Sequence, residues 1–156
     1  RNVLHSGATG YGILLTCVGI GALIGALSLA GLGQRMARGK LFVWSTYGFS
    51  AGLVVFSLMH RLLPAAIMLV FVGFAMMLSG ALANGLMQSI APDELRGRVV
   101  SAYVFVAVGL VPIGSFISGA LAHVIGVDWS IGGCAVIVFA SSAWAFHKYP
   151  ALQTVS

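Results

Sequence analysis

The side chains able to do acid–base or ligand chemistry are few in this sequence, and they are poorly placed for it. There are three carboxylates, Asp93, Glu94 and Asp128, and four histidines, His5, His60, His123 and His147. All lie between long apolar runs or at their margins. Cys17 and Cys134 are isolated inside apolar runs, where neither a disulfide nor a metal site is expected, and they read as small packing residues. No nucleophile has a base at matching depth, so no catalytic residue, metal or cofactor is expected. What remains is hydrogen bonding and helix mechanics. Asn84 and Gln88, one helical turn apart, could bond a neighbouring helix or line the mouth of a cavity. Tyr47, beside Trp44, reads as an interfacial anchor and as a weaker candidate for touching a substrate.

Three patterned stretches add to these. Gly21 and Gly25 put two positions without side chains on one helix face, which lets another helix approach closely. In the segment Pro92–Arg98, Asp93 and Glu94 suit the start of a helix, where negative charge is favourable. Arg96 and Arg98 in the same segment can pair with carboxylates or lipid phosphates. Gly109, Pro112 and Gly114, with Gly119 beyond them, remove one backbone bond and much side-chain bulk from a single helix. A fixed kink and a moving hinge both fit that pattern.

The elements that must carry these residues follow from composition. Of the 156 residues, 60% are hydrophobic and 7% charged, with 21 glycines. A soluble domain carries roughly 25% charged residues, and this surface would aggregate in water. Charges divide the chain into five apolar segments, at about 9–32, 41–59, 62–90, 99–125 and 129–146. Each has the ~17–25 residues or more that span a bilayer, and only helices satisfy their own backbone in lipid. The expected fold is therefore an all-α membrane protein of five transmembrane helices.

The formal net charge of +5 could suggest a nucleic-acid partner, but the basic residues sit at the ends of apolar runs, so none is expected. Alternate loops place Arg35, Arg38, Lys40, Arg96, Arg98 and Lys148 on one side and Arg1 and Arg61 on the other. The richer side is expected in the cytoplasm, which puts the N-terminal end outside and the C-terminus inside. The chain opens on Arg1 with no secretory-signal pattern, so helices upstream are expected to be missing.

The same stretches carry a resemblance. Tyr11–Leu15 leading into the Gly19–Ala26 run is similar to the eighth helix of major facilitator superfamily transporters. The basic turn Gly33–Lys40 resembles the degenerate second copy of their signature loop, without its aspartate. Asn84–Gln88 followed by Ala91–Val99 resembles the loop between their tenth and eleventh helices, and Gly109–Gly119 the eleventh helix. The branch most resembled contains transmembrane secretion effectors and enterobactin-type siderophore exporters. The resemblance implies helices eight to twelve of twelve, most of one six-helix half, in a bacterial inner-membrane permease. It implies efflux of a small amphiphilic molecule by alternating access, with membrane lipid and the missing N-terminal helices as partners. A truncated or non-transporting membrane fragment is the alternative.

Overall fold

The computed structural model describes residues 7–32, 38–59 and 61–148, and these form five helices. They are α1 (Gly7–Leu32), α2 (Arg38–Ser57), α3 (Leu62–Ile90), α4 (Arg96–Ile125) and α5 (Val127–Lys148). Arg1, Arg35, His5 and His60, with most of the basic turn before α2, lie outside the described residues. The described residues form helices and short turns without strands, and among them four helices are long and apolar enough to cross a membrane. At ~1.5 Å per residue, the 29 residues of α3 and the 30 of α4 exceed the ~30 Å hydrocarbon core.

The remaining helix, α2, is the shortest and most polar of the five. Arg38 and Lys40 lie inside the helix instead of preceding it, and hydroxyls dilute its apolar character. Those hydroxyls are satisfied within the helix. Ser45 and Thr46 both donate to the Phe42 carbonyl, Ser50 to Thr46 and Ser57 to Val54. α2 also lies between α3 and α5, so it presents less of itself to lipid than an edge helix would.

Local chemistry ends the helices. Ala91 follows α3 in an extended conformation (φ −71°, ψ 132°), the conformation imposed on a residue preceding proline. α4 and α5 are separated by Gly126 alone, at φ 90°, a region open to glycine and strained for other residues. Asp128, expected in a loop, therefore belongs to the first turn of α5.

Laterally the helices run in the order α1, α3, α2, α5, α4. α1 and α3 are parallel and nearly touch through backbone. A Cβ on Gly21 would collide with the Val70 carbonyl oxygen and stand 2.9 Å from Phe74 N, and one on Gly73 would collide with the Val18 carbonyl oxygen. A Cβ on Gly25 would lie 2.9 Å from the Phe74 carbonyl oxygen. α2 runs antiparallel to α3, with Gly48 facing Phe71 and Ala75 and Gly52 facing Phe71 and Val72. The apolar core is centred on α3, whose Ala65 (0% exposed), Leu69, Val72 and Leu82 are buried between α1 and α2. α5 closes against α2 through Phe42, Tyr47, Phe139 and Phe146, with centroid separations of 5.4–5.7 Å. Ser57 and Gly132 meet at the other end of the same interface.

α4 is different. None of its span is buried within the chain, and Phe105 and Phe116 are each 79% exposed. It joins its neighbours near its two ends. Ser130 of α5 donates to the Ser118 carbonyl at 3.0 Å, and Arg96 reaches back to α3.

Candidate functional site

The side chains that the sequence singles out for polar work collect at the corner where α3 turns into α4. The corner is organised by a proline. In a continuing helix the carbonyl of Gln88 would accept the N–H of residue 92, but Pro92 has none. The Arg96 guanidinium takes that place, with Nε donating to the Gln88 carbonyl at 3.2 Å. Its Nη2 lies 2.7 Å from Asp93 Oδ1. The turn between them is closed by Leu95 N–H donating to the Pro92 carbonyl, and Val99 N–H then bonds Leu95 as α4 begins. Asp93 stands just before α4, where the helix dipole favours a carboxylate.

One turn back along α3, Gln88 Nε2 donates to Asn84 Oδ1 at 3.0 Å. Both amides are half-buried, and no other described residue bonds their side chains. Asn84, Gln88, Asp93 and Arg96 thus form one continuous chain of contacts. Glu94 and Arg98 are exposed at the same corner and take no part in it. The Arg96–carbonyl bond escaped the sequence reading, although its signal is a proline four residues after Gln88 and an arginine four residues further on.

Tyr47 lies elsewhere. Its ring packs on Phe139 and Phe146 in the α2–α5 interface. Residue 48 of α2 is level with residues 71–75 of α3, so Asn84 is about eight residues, or ~12 Å, further toward the basic end than Tyr47. The structure therefore does not bring Tyr47 to the amide pair. Trp44 is exposed on α2, and Trp144 is exposed on α5 with Lys148 Nζ 4.8 Å from its ring centroid. Arg38 and Lys40 are exposed in the first turn of α2.

Gly21 and Gly25 lie in the α1–α3 seam described above. Gly109, Gly114 and Gly119 meet nothing, since a Cβ on any of them would have no heavy atom within 4 Å. Pro112 is in the interior of α4, on its exposed middle stretch. His123 is exposed in the last turn of α4. Cys17 and Cys134 are free thiols, the latter 3.9 Å from Ser118 Oγ. Among the described residues no three His, Cys, Asp or Glu come together as metal ligands. Chemically, the corner offers an amide pair and the Arg96 guanidinium.

Comparison with known proteins places the chain in a family. A family model described as transmembrane secretion effector matches residues 1–155. The multidrug efflux pump Tap of Mycolicibacterium fortuitum is 29% identical over 119 residues, covering 76% of this chain and 29% of that protein. The enterobactin exporter EntS of Citrobacter koseri is 32% identical over 95 residues, covering 61% of this chain and 23% of that protein. The aligned part is thus less than a third of either relative. No solved structure matches the chain.

Proposed function

Because this chain belongs to the transmembrane secretion effector family of the major facilitator superfamily, a family of efflux transporters, we propose that it forms most of the second half of a secondary transporter. The transported molecule is small and amphiphilic, of the drug or siderophore kind, and it leaves the cell by alternating access. In such folds substrate binds between two six-helix halves that rock about it. The observation that carries this reading is the family match over residues 1–155, along the whole described helical array.

The transporting unit is the longer protein, with seven helices preceding these five in a bacterial inner membrane. The end bearing Arg38, Lys40, Arg96 and Arg98 faces the cytoplasm, following the positive-inside bias. The exposed middle of α4, with Gly109, Pro112, Gly114 and Gly119, is the surface the other half covers and moves against. Asn84 and Gln88 border the cytoplasmic mouth of the cavity, and Tyr47 stays in the α2–α5 interface. Among the described residues no Asp, Glu, Lys or Arg lies deep inside a helix, so if the full-length protein is proton-coupled the coupling residue lies outside this chain.

The test is transport by inverted membrane vesicles holding the full-length protein, against a panel of drugs and siderophores. Energy-dependent accumulation of one class is expected. A fully inserted protein that moves none of them supports the non-transporting alternative.

A further inference from the structure

We propose that Arg96 is a positioning residue for transport, its guanidinium replacing the backbone donor that Pro92 removes and so setting how α4 leaves α3. The inference rests on the transporter reading, and its geometry stands independently of it. Pro92 leaves the Gln88 carbonyl without its helical partner, and Arg96 Nε fills the vacancy at 3.2 Å. The same guanidinium holds Asp93 at 2.7 Å, so one planar group grips both sides of the turn.

The corner matters because, among the described residues, α4 is otherwise held only by α5 toward its far end. A Cβ on Gly97, Gly109, Gly114 or Gly119 would touch nothing within 4 Å, and the middle of the helix is exposed throughout. At the opposite end α4 is pinned by Ser130 bonding the Ser118 carbonyl. Pro112 lies between the two attachments. Changing the bend at Pro112 while both ends stay attached redirects the middle of α4 and leaves its ends in place. Arg96 supplies the attachment beside the Asn84–Gln88 amides, because the carbonyl it caps belongs to Gln88 itself. The exposed Arg96–Asp93 ion pair would contribute little alone. The distinctive contribution is the capped carbonyl.

Two variants and a rescue test this in the full-length protein. Arg96→Met should insert at normal levels and lower the maximal transport rate about tenfold. Nitroxide labels at Met87 and Ser101, both exposed, should show a broadened α3–α4 distance distribution by pulsed electron resonance. Arg96→Lys keeps the charge without the planar fork and should resemble Arg96→Met. Adding Pro92→Ala returns an N–H four residues after Gln88, and Pro92→Ala/Arg96→Met should regain the narrow distribution and most of the rate. Full activity of Arg96→Lys, or a double variant still broad and slow, overturns the proposal. A narrow distribution with no recovery of rate overturns its transport part. If the parent protein transports nothing, the functional reading fails, while the label distances still decide whether Arg96 orients α4.

Discussion

Replacing Gly21 with alanine should force α1 and α3 apart. The new Cβ would stand 2.8 Å from the Val70 carbonyl carbon and 2.9 Å from Phe74 N, and nearer still to the Val70 oxygen. Ordinary van der Waals contact begins at 3.4 Å, so the Val70 carbonyl carbon alone requires the backbones to part by about 0.6 Å (3.4 minus 2.8), and its nearer oxygen requires more. No rotamer change relieves this, because the obstructing atoms are backbone. Gaps of ~0.5–1 Å forfeit a quarter to a half of each dispersion contact, and overpacking costs ~1–3 kcal/mol. Alanine's better helix propensity returns up to ~1 kcal/mol, leaving a net loss of up to ~2 kcal/mol. Gly19→Ala provides the internal control. That position has nothing within 4 Å, so only the propensity gain remains and the variant should be neutral or stabilised. Denaturant titration of the full-length protein in mixed micelles reads both. Equal stabilities for the Gly21 and Gly19 variants would show that the backbone-to-backbone seam is wrong.

Three further outcomes are expected. Gly114→Leu adds bulk to a face that is open within this chain and, in the proposed transporter, covered by the other half; the protein should insert normally and lose transport, and normal transport would leave the α4 motif a passive kink. In a Cys-free background, a cysteine replacing Glu94 should react with impermeant thiol reagent only after the cell is opened, whereas one replacing Val127 should react in intact spheroplasts, and reversed labelling refutes the orientation. If the transporter is proton-driven, His123→Gln and single neutralisation of Asp93, Glu94 and Asp128 should each leave substantial coupled uptake in inverted vesicles; specific loss in any one, with folding and substrate binding intact, would place the coupling group in this chain.

Hydropathy and charge made the helices legible, because in lipid a backbone that bonds itself leaves few alternatives. Where proline or flanking charge supplies a sharp stop the boundaries are legible too, as at Pro92 after α3. They blur where a helix continues past the bilayer, as α4 does through Arg96 and Arg98 and α2 through Arg38 and Lys40. The spacing of Gly21 and Gly25 suggested close approach, but the helix they approach was not readable. Neither was Gly73, a single glycine with no partner in its own helix pattern, on the opposite side of the seam. Tyr47 illustrates a different limit. Its residue type suits an interface, a cavity or a core equally, and only the arrival of Phe139 and Phe146, more than 90 positions away, distinguishes them. The Arg96 contact lay within a short stretch and was still missed, because hydropathy reading treats arginine as a charge and ignores which carbonyl a proline has left bare.

The single-residue link at Gly126 has a consequence for biosynthesis. With only Gly126 between them, α4 and α5 have no polar loop to separate their entry into the bilayer. Entry as a paired hairpin is the expected outcome, and the link leaves no extended segment for a protease to grip or an epitope tag to occupy. Lengthening it would give α5 freedom to turn about its axis, taking Ser130 away from the Ser118 carbonyl. A longer link would leave the register of the last two helices to be set by their packing alone.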